Sequence, residues 1–463
     1  MRALLAAPRS ARGGDDNAVF YNARMLRPIE RVVDLLDPRL NHIYNLDIEG
    51  ARRCVRSGDP AAVRGIEGSF ALVAIDGITV RLARSMDRPM RYFLAKRHEG
   101  PALFVADRID TLHRALIEAG LGDQFHPSYT RMVPAHYIVE LALVGCPDPD
   151  PTYTRFFTPV RDALPPDLDE IGKRYIGALA DEIENWLGSI APGEPVGVSF
   201  SGGVDSGSVF IVMYHTMLRL GLPPARLKAF VLNLGDGADV GQARAFVSSL
   251  GLSLFLEEIP GAADDLDLEE TLRVIEDYKS LDVECAAMGL RLCRGIRERY
   301  PEWRLLADGD GGDENLKDYP IEENPELTIR SVVNNLMLYQ EGWGVGRIKH
   351  SLTYTGGLSR SYVRTYAPAA RFGFVGFSPY TRPGVIEVAE AIPFAQLTGD
   401  DVRALYSLKG EIVRRGVKAV TGADMPVFAK RRFQHGATSV DTMRQKLGGS
   451  EREYRQAFAR MYA

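Results

Sequence analysis

At 463 residues, with 45% hydrophobic and 25% charged side chains, the chain has the composition of a globular protein long enough for two or three cores, not of a disulfide-stapled miniature or a disordered tail. Its 56 Lys and Arg against 61 Asp and Glu give a net charge of −5, without the basic excess of a general nucleic-acid binder. Four scattered cysteines, Cys54, Cys146, Cys285 and Cys293, form no CxxC pair, which argues against a disulfide framework and a zinc site.

No apolar run approaches the roughly 18 residues of a membrane span. The opening "MRALLAAPRSARGG" has too short an apolar core for a signal peptide. A cytoplasmic protein without membrane or nucleic-acid partners is expected, with a homodimer as the prior oligomeric state. Residues 401–463 carry thirteen Lys and Arg against six Asp and Glu. That local excess reads either as a solvated helical face or as a surface attracting a polyanion.

Residues 1 to about 125 are strand-rich. "GSFALVAIDG" and "ITVRLARSMDRPMRYFLAKR" are two β-prone runs separated by the Asp76-Gly77 turn signal, and "PALFVADRID" adds a short strand. "PDPDPTYTRFFTP" (147–159) reads as a linker, because successive prolines suit neither a helix nor a central strand. Strands then alternate with helices. "IGKRYIGALADEIENWLGSI" is helical, "VGVSF" a strand, "DSGSVFIVMYHTMLRLG" a helix and "KAFVLNL" a strand. "DVGQARAFVSSLG" is a helix, "SLFLEEI" a strand, "ECAAMGLRLCRGIRERY" a helix and "WRLLAD" a strand. This alternation predicts an open parallel sheet with helices on both faces, and ligands beyond the carboxyl ends of its strands. Residues 325–463 read as mostly helical, with a Gly/Pro-interrupted segment around 366–384.

The turn between "VGVSF" and the next helix is Ser201-Gly202-Gly203-Val204-Asp205-Ser206. Its glycines let main chain approach a polyphosphate, the helix N-terminus presents free N–H groups, and Ser201 and Ser206 add hydroxyls. There is no GxxxxGK(S/T), so the loop is not a Walker A. Asp205 would repel a phosphate directly but can hold Mg²⁺ between itself and phosphate oxygens; the bland alternative is a helix cap. A second acidic run, "LLADGDGGDENLKDY", places Asp308, Asp310, Asp313 and Glu314 after another sheet strand. Two carboxylate loops at one sheet edge predict a Mg²⁺–polyphosphate site, whereas the alternative is an Asx-rich surface loop.

SGGVDS resembles the SGGxDS pyrophosphatase (PP) loop of the asparagine synthetase and β-lactam synthetase family, and "DGGDE" its later EGSDE element. "FAKRRFQHGA" (428–437) is similar to that family's Lys-x-x-Phe-x-x-Gly element, and "LKGEIVRRGVKAVTGADMPV" to the helix and turn before it. "SPYTRPGVIEVAEAIP" (378–393) resembles the segment that there reads Pro-Phe-Leu-Asp. The resemblance implies cleavage of ATP between its α- and β-phosphates and activation of a substrate carboxylate as an acyl-adenylate. It implies that Asp205 and Asp313 hold Mg²⁺, and that Lys430 stabilises charge developing in the reaction. It further implies an ATP cradle of Ser199, Ser201, Gly202, Gly203, Val204, Asp205, Ser206, Leu232, Gly309, Asp310 and Lys430.

"IEGSFALVAIDG", "LARSMDRPMRYFLA" and "LFVADRIDTL" resemble the family's glutaminase domain, an Ntn-hydrolase-like β sandwich. Its N-terminal nucleophilic cysteine has no counterpart: residue 2 is Arg2 and the first cysteine is Cys54. The expected organisation is a degenerate glutaminase-like domain over 1–146, a linker over 147–165 and a PP-loop synthetase domain over 166–463, with a parallel sheet of the adenine-nucleotide α-hydrolase type and a helical C-terminal part. The glutamate that the family often places four residues before its Pro-Phe-Leu-Asp is Val375 here, and Tyr380, Glu387 and His435 are the candidate substitutes. The expected function is an ATP- and Mg²⁺-dependent amide-forming ligase joining a small carboxylate to ammonia or a substrate amine without glutamine hydrolysis, in specialised metabolism. A β-lactam-type cyclase, an enzyme adenylating a nucleobase and a non-catalytic binding descendant are the alternatives.

Overall fold

The structure is a computed structural model, and it describes residues 31–95, 102–142, 150–235, 237–319, 321–323, 328–334, 362–428 and 440–462. Two four-stranded sheets form its N-terminal part. One has the order β1 (Arg31–Asp34), β5 (Ala102–Ala106), β4 (Arg91–Ala95), β6 (Arg131–Met132). The other has the order β8 (Thr152–Arg155), β7 (Tyr137–Ala142), β3 (Thr79–Arg84), β2 (Ala71–Asp76).

The period of two in these strands sorts their side chains into layers. Ala71, Val73, Val80, Leu82, Tyr92, Leu103, Val105, Val139 and Leu141 share one apolar cluster, so the two sheets face each other. On the opposite face of β2 and β3, Leu72, Ala74 and Ala83 pack under helix α1 (Ile48–Ser57) through Ala51 and Val55. On the outer face of the other sheet, Phe93 and Phe104 pack under helix α2 (Ile109–Glu118) through Leu112 and Leu116. The order of layers is helix, sheet, sheet, helix.

Two expectations need correction here. The run from Ile78 to Arg97 is not one strand: β3 and β4 belong to different sheets, divided by the segment that contains Pro89. Thr152–Arg155, inside the stretch expected to be a linker, forms β8 and pairs antiparallel with β7. Phe156 and Phe157 then bury themselves in the cluster under α1. Prolines lie before this strand, at 147, 149 and 151, and leave its donors intact.

Next come helix α3 (Leu168–Gly188), β9 (Val196–Ser199), α4 (Val204–Arg219), β10 (Leu227–Asn233), α5 (Asp239–Ser249), β11 (Leu256–Pro260), α6 (Leu268–Ile275), α7 (Ser280–Arg299), β12 (Leu305–Ala307), the single-turn α8 (Gly312–Asn315), β13 (Val375–Phe377), α9 (Pro383–Glu390) and α10 (Val402–Thr421). All neighbours in the sheet β11-β10-β9-β12-β13 are parallel. Its two faces again follow the alternation of residues. Ala229 and Val231 pack with α3, α4 and α10, while Phe230 and Leu232 pack with α7. β13 lies within the Gly/Pro-interrupted segment, where no strand was expected.

The chain runs outward from β9 through β10 to β11 and then returns to place β12 on the other side of β9. The carboxyl ends of β9 and β12 therefore diverge at a switch point, where an open α/β sheet forms a crevice. The loops carrying Asp205 and Asp313 leave from those two ends.

Candidate functional site

The first loop is built for close approach. Gly202 has φ +72°, and a Cβ there would lie 2.9 Å from the main chain of Ala243 on α5. No other residue fits both the conformation and the space. The Ser201 N–H donates to Ser206 Oγ (3.2 Å), the Gly203 N–H to Ser201 Oγ (3.3 Å), and Gln242 Nε2 to Ser201 O (3.2 Å). These bonds hold both serine hydroxyls at the N-terminus of α4, where the helix dipole favours an anion. Ser199 ends β9 in the same place. Leu232 is buried in the apolar cluster against α7, so its main chain is the part available at the sheet edge.

The second loop lies directly on the first. A Cβ on Gly309 would sit 2.5 Å from Ser206 N, and one on Gly312 would collide with the Asp205 carboxylate. Asp205 and Asp313 thus face one another, and both reach the same cation, Lys409 Nζ on α10. Lys409 donates to Asp205 Oδ2 at 2.5 Å and also to Asp313 Oδ1, with Asp318 Oδ2 3.6 Å away. Lys409 is buried. Burial opposes its charge, but the carboxylates of Asp205, Asp313 and Asp318 outweigh that and keep its proton bound well above the ordinary lysine range.

Helix α10 is held in this position by its crossing with α3. Gly416 lies against the Gly172 main chain so closely that a Cβ on Gly172 would meet Ile412 O at 2.6 Å and Gly416 N at 2.8 Å. The buried face of α10 reads Leu405, Leu408, Lys409, Ile412, Val413, Gly416, Val417. A lysine therefore stands inside an apolar stripe of period 3.6. This was a legible signal for a functional lysine, because an unpaired charge does not sit on such a face.

Among the described residues no group of three or more His, Cys, Asp or Glu is placed to hold a metal ion. Two carboxylates converging on one cation are nevertheless the donor set that Mg²⁺ takes when phosphate oxygens and water complete its shell, and Lys409 Nζ is the stand-in charge that shows the convergence. Asp205 and Asp313 fit the ion.

Residues 191–373 match the family model for asparagine synthase. Over these residues, less than half of its length, the chain is similar to asparagine synthases. No curated protein matches the chain. Among solved structures it is similar to the U34-tRNA thiolase NcsA from Methanococcus maripaludis with its 4Fe-4S cluster, at 12% identity over 62% of this chain and 80% of that one, and the TM-score of 0.25 is too low to carry an argument.

In this asparagine-synthase-like part the other expected residues separate clearly. Lys430 and His435 lie outside the described residues. Val375 pairs with Leu305 at the sheet's edge and has no ionisable group. Tyr380 is fully buried, with its hydroxyl 2.6 Å from Ser208 Oγ and its ring stacked on Tyr175, so it braces α4 from behind. Glu387 forms an ion pair with Arg64 of the N-terminal part.

Asp310 points into a polar cluster beside the crevice. Thr365 Oγ1 lies 2.8 Å from Asp308 Oδ2 and 2.7 Å from Asp310 Oδ2. Ser378 Oγ donates to Asp308 Oδ2 (2.8 Å), and the Asp310 N–H to Asp308 Oδ1 (3.0 Å). One threonine hydroxyl donates one proton, so the two carboxyl groups sharing it hold a proton between them. Asp308, richer in donors, is the better carboxylate; the remaining proton belongs on Asp310. Burial pushes Asp308 up to about 6, and burial together with the Asp308 charge pushes Asp310 well above the ordinary range.

Both shifts are upward. The folded chain keeps protons that the unfolded chain releases above about 4, and the associated stability is lost as pH rises through about 6 and beyond. Asp310→Asn is therefore expected to melt with the parent at pH 4 and above it at pH 8. Melting curves that differ equally at both pH values would contradict the shared proton.

Proposed function

We propose that the protein is an ATP-dependent amide-forming ligase that adenylates a substrate carboxylate and passes the acyl group to ammonia or a substrate amine. The observation that carries this reading is the meeting of a glycine-serine loop, two opposed carboxylates and a buried ammonium at the switch point of a parallel sheet. In the first step, a carboxylate oxygen attacks the α-phosphorus of ATP, the bond to the bridging oxygen breaks, and pyrophosphate leaves. In the second, the amine attacks the acyl carbon, AMP leaves, and the amine gives up one proton.

Each group answers a requirement of this sequence. The α4 N-terminus and the hydroxyls of Ser201 and Ser206 hold the departing phosphates, and Lys409 adds a fixed positive charge beside them, a contribution of roughly 3 kcal/mol in a site shielded from water. Mg²⁺, on Asp205 and Asp313, would neutralise the pyrophosphate charge when bound. Lys430 is proposed, from the family resemblance alone, as a second cation on the developing charge.

We read the N-terminal helix–sheet–sheet–helix unit as the glutaminase-like, Ntn-type module, and 166–463 as the synthetase unit. Cys54 lies in the middle of α1 and is half-buried, which supports reading it as a structural residue and not as a glutaminase nucleophile. Intermolecular condensation in specialised metabolism is the favoured setting, with β-lactam-type ring closure as its variant.

Incubation with ATP, Mg²⁺, labelled pyrophosphate and a panel of amino and dicarboxylic acids tests the proposal. At least one acid should drive label into ATP. Exchange that is absent throughout the panel, with ATP split to ADP and phosphate instead, would overturn it.

A further inference from the structure

We propose that Lys409 fills the divalent-cation position between Asp205 and Asp313 while polyphosphate is absent, so that the metal enters only together with the nucleotide. The inference rests on the adenylation reading above and concerns the order in which its components assemble.

The geometry is direct. Lys409 Nζ is within ion-pair reach of Asp205, Asp313 and Asp318, and its side chain is 6% exposed. An ion held by both Asp205 and Asp313 has to take the space that the ammonium fills. If the metal came alone, Lys409 would exchange three carboxylate neighbours for one, Asp318, while still buried, and a buried charge stripped of partners is costly. Among the described residues the stem is enclosed, since Leu405, Leu408, Ile412 and Val413 are buried around its position on α10 and the Gly172–Gly416 contact fixes the helix.

Polyphosphate changes this balance. It arrives at the α4 N-terminus beside Asp205 with several negative charges and offers the ammonium a new partner as the metal takes the old ones. Metal and nucleotide are then positively coupled through Lys409, and removing its charge should raise metal affinity in the nucleotide-free protein, because the ammonium competes with the metal for Asp205 and Asp313.

The test uses full-length protein without nucleotide and Mn²⁺ as the probe, its free concentration read by electron paramagnetic resonance. Lys409→Met should bind Mn²⁺ at least tenfold more tightly than the parent, Lys409→Arg should bind as weakly as the parent, and adding Asp205→Asn to Lys409→Met should erase the gain. Circular dichroism checks folding, and Lys409→Gln, whose amide can still donate to both carboxylates, carries the test if the methionine variant does not fold. Equal Mn²⁺ affinity in the parent and the neutral variants would overturn the role of Lys409 and leave the ligase reading intact. Failure of Mn²⁺ to bind any of these proteins, with or without ATP, would remove the metal site itself and the functional reading with it.

Discussion

Asp205→Asn should lower carboxylate-dependent exchange of pyrophosphate into ATP by about a thousandfold or more, because a metal and a fixed charge at a phosphoryl centre together contribute several kcal/mol to its transition state. The substitution keeps the shape of the side chain. It removes one of the three carboxylates around Lys409 and leaves Asp313 and Asp318 as partners for the ammonium. The fold should survive, and the far-ultraviolet dichroism should match the parent. Asp313→Asn should behave in the same way, since the two carboxylates serve one cation position. Near-parental exchange in a folded Asp205→Asn variant would mean that the carboxylate pair is structural.

The second large effect is expected far from this site. Glu276, at the end of α6 with φ +52°, is completely buried between the N-terminal sheets and the parallel-sheet part. Arg91 Nε on β4 lies 2.9 Å from its Oε2, Arg108 3.4 Å from its Oε1, and the Ile109 N–H donates to Oε1 at 2.6 Å. Arg91 is as inaccessible as its partner. Removing the carboxylate takes the Glu276 charge away from a guanidinium held in a dry interior, which costs about 3–5 kcal/mol, whereas replacing both partners with apolar residues is far less damaging. Glu276→Leu should therefore lower the urea midpoint strongly, and Arg91→Met with Glu276→Leu should recover much of the loss. A double variant as unstable as the single one would show that packing at this junction, and not the uncompensated charge, sets the cost.

The sequence was most readable where a local pattern was also the global one. "VGVSF", "KAFVLNL" and "WRLLAD" are short apolar runs bounded by turns, and each is a strand of the parallel sheet because both of its faces are covered. The SGGVDS and DGGDE loops were found for the same reason: their small residues are needed locally, for backbone approach, and that need is visible in composition. Strand β13 escaped because its three residues, Val375 to Phe377, include Gly376 and stand between Gly373 and Pro379, and only the edge of an existing sheet makes them a strand. Strand β8 escaped because the prolines flanking it look like linker chemistry.

Lys409 was missed for a different reason. The apolar stripe of α10 was there to be read, but the resemblance directed attention to Lys430, and only the folded chain brings a residue two hundred positions downstream onto Asp205. Thr365 had no sequence signal at all. Its pairing with Asp308 and Asp310 depends on how the segment before β13 lies over the β12 loop. Leu232 commits its side chain to the core, so only its main chain is offered at the sheet edge.

The fate of the ATP phosphates tests the central claim most directly. With protein, Mg²⁺, ATP and a carboxylate identified by exchange, phosphorus nuclear magnetic resonance should show AMP and pyrophosphate forming together, with no ADP. Stoichiometric ADP and orthophosphate from the same mixture would place the attack at the γ-phosphate and contradict the adenylation that the two carboxylate loops are proposed to support.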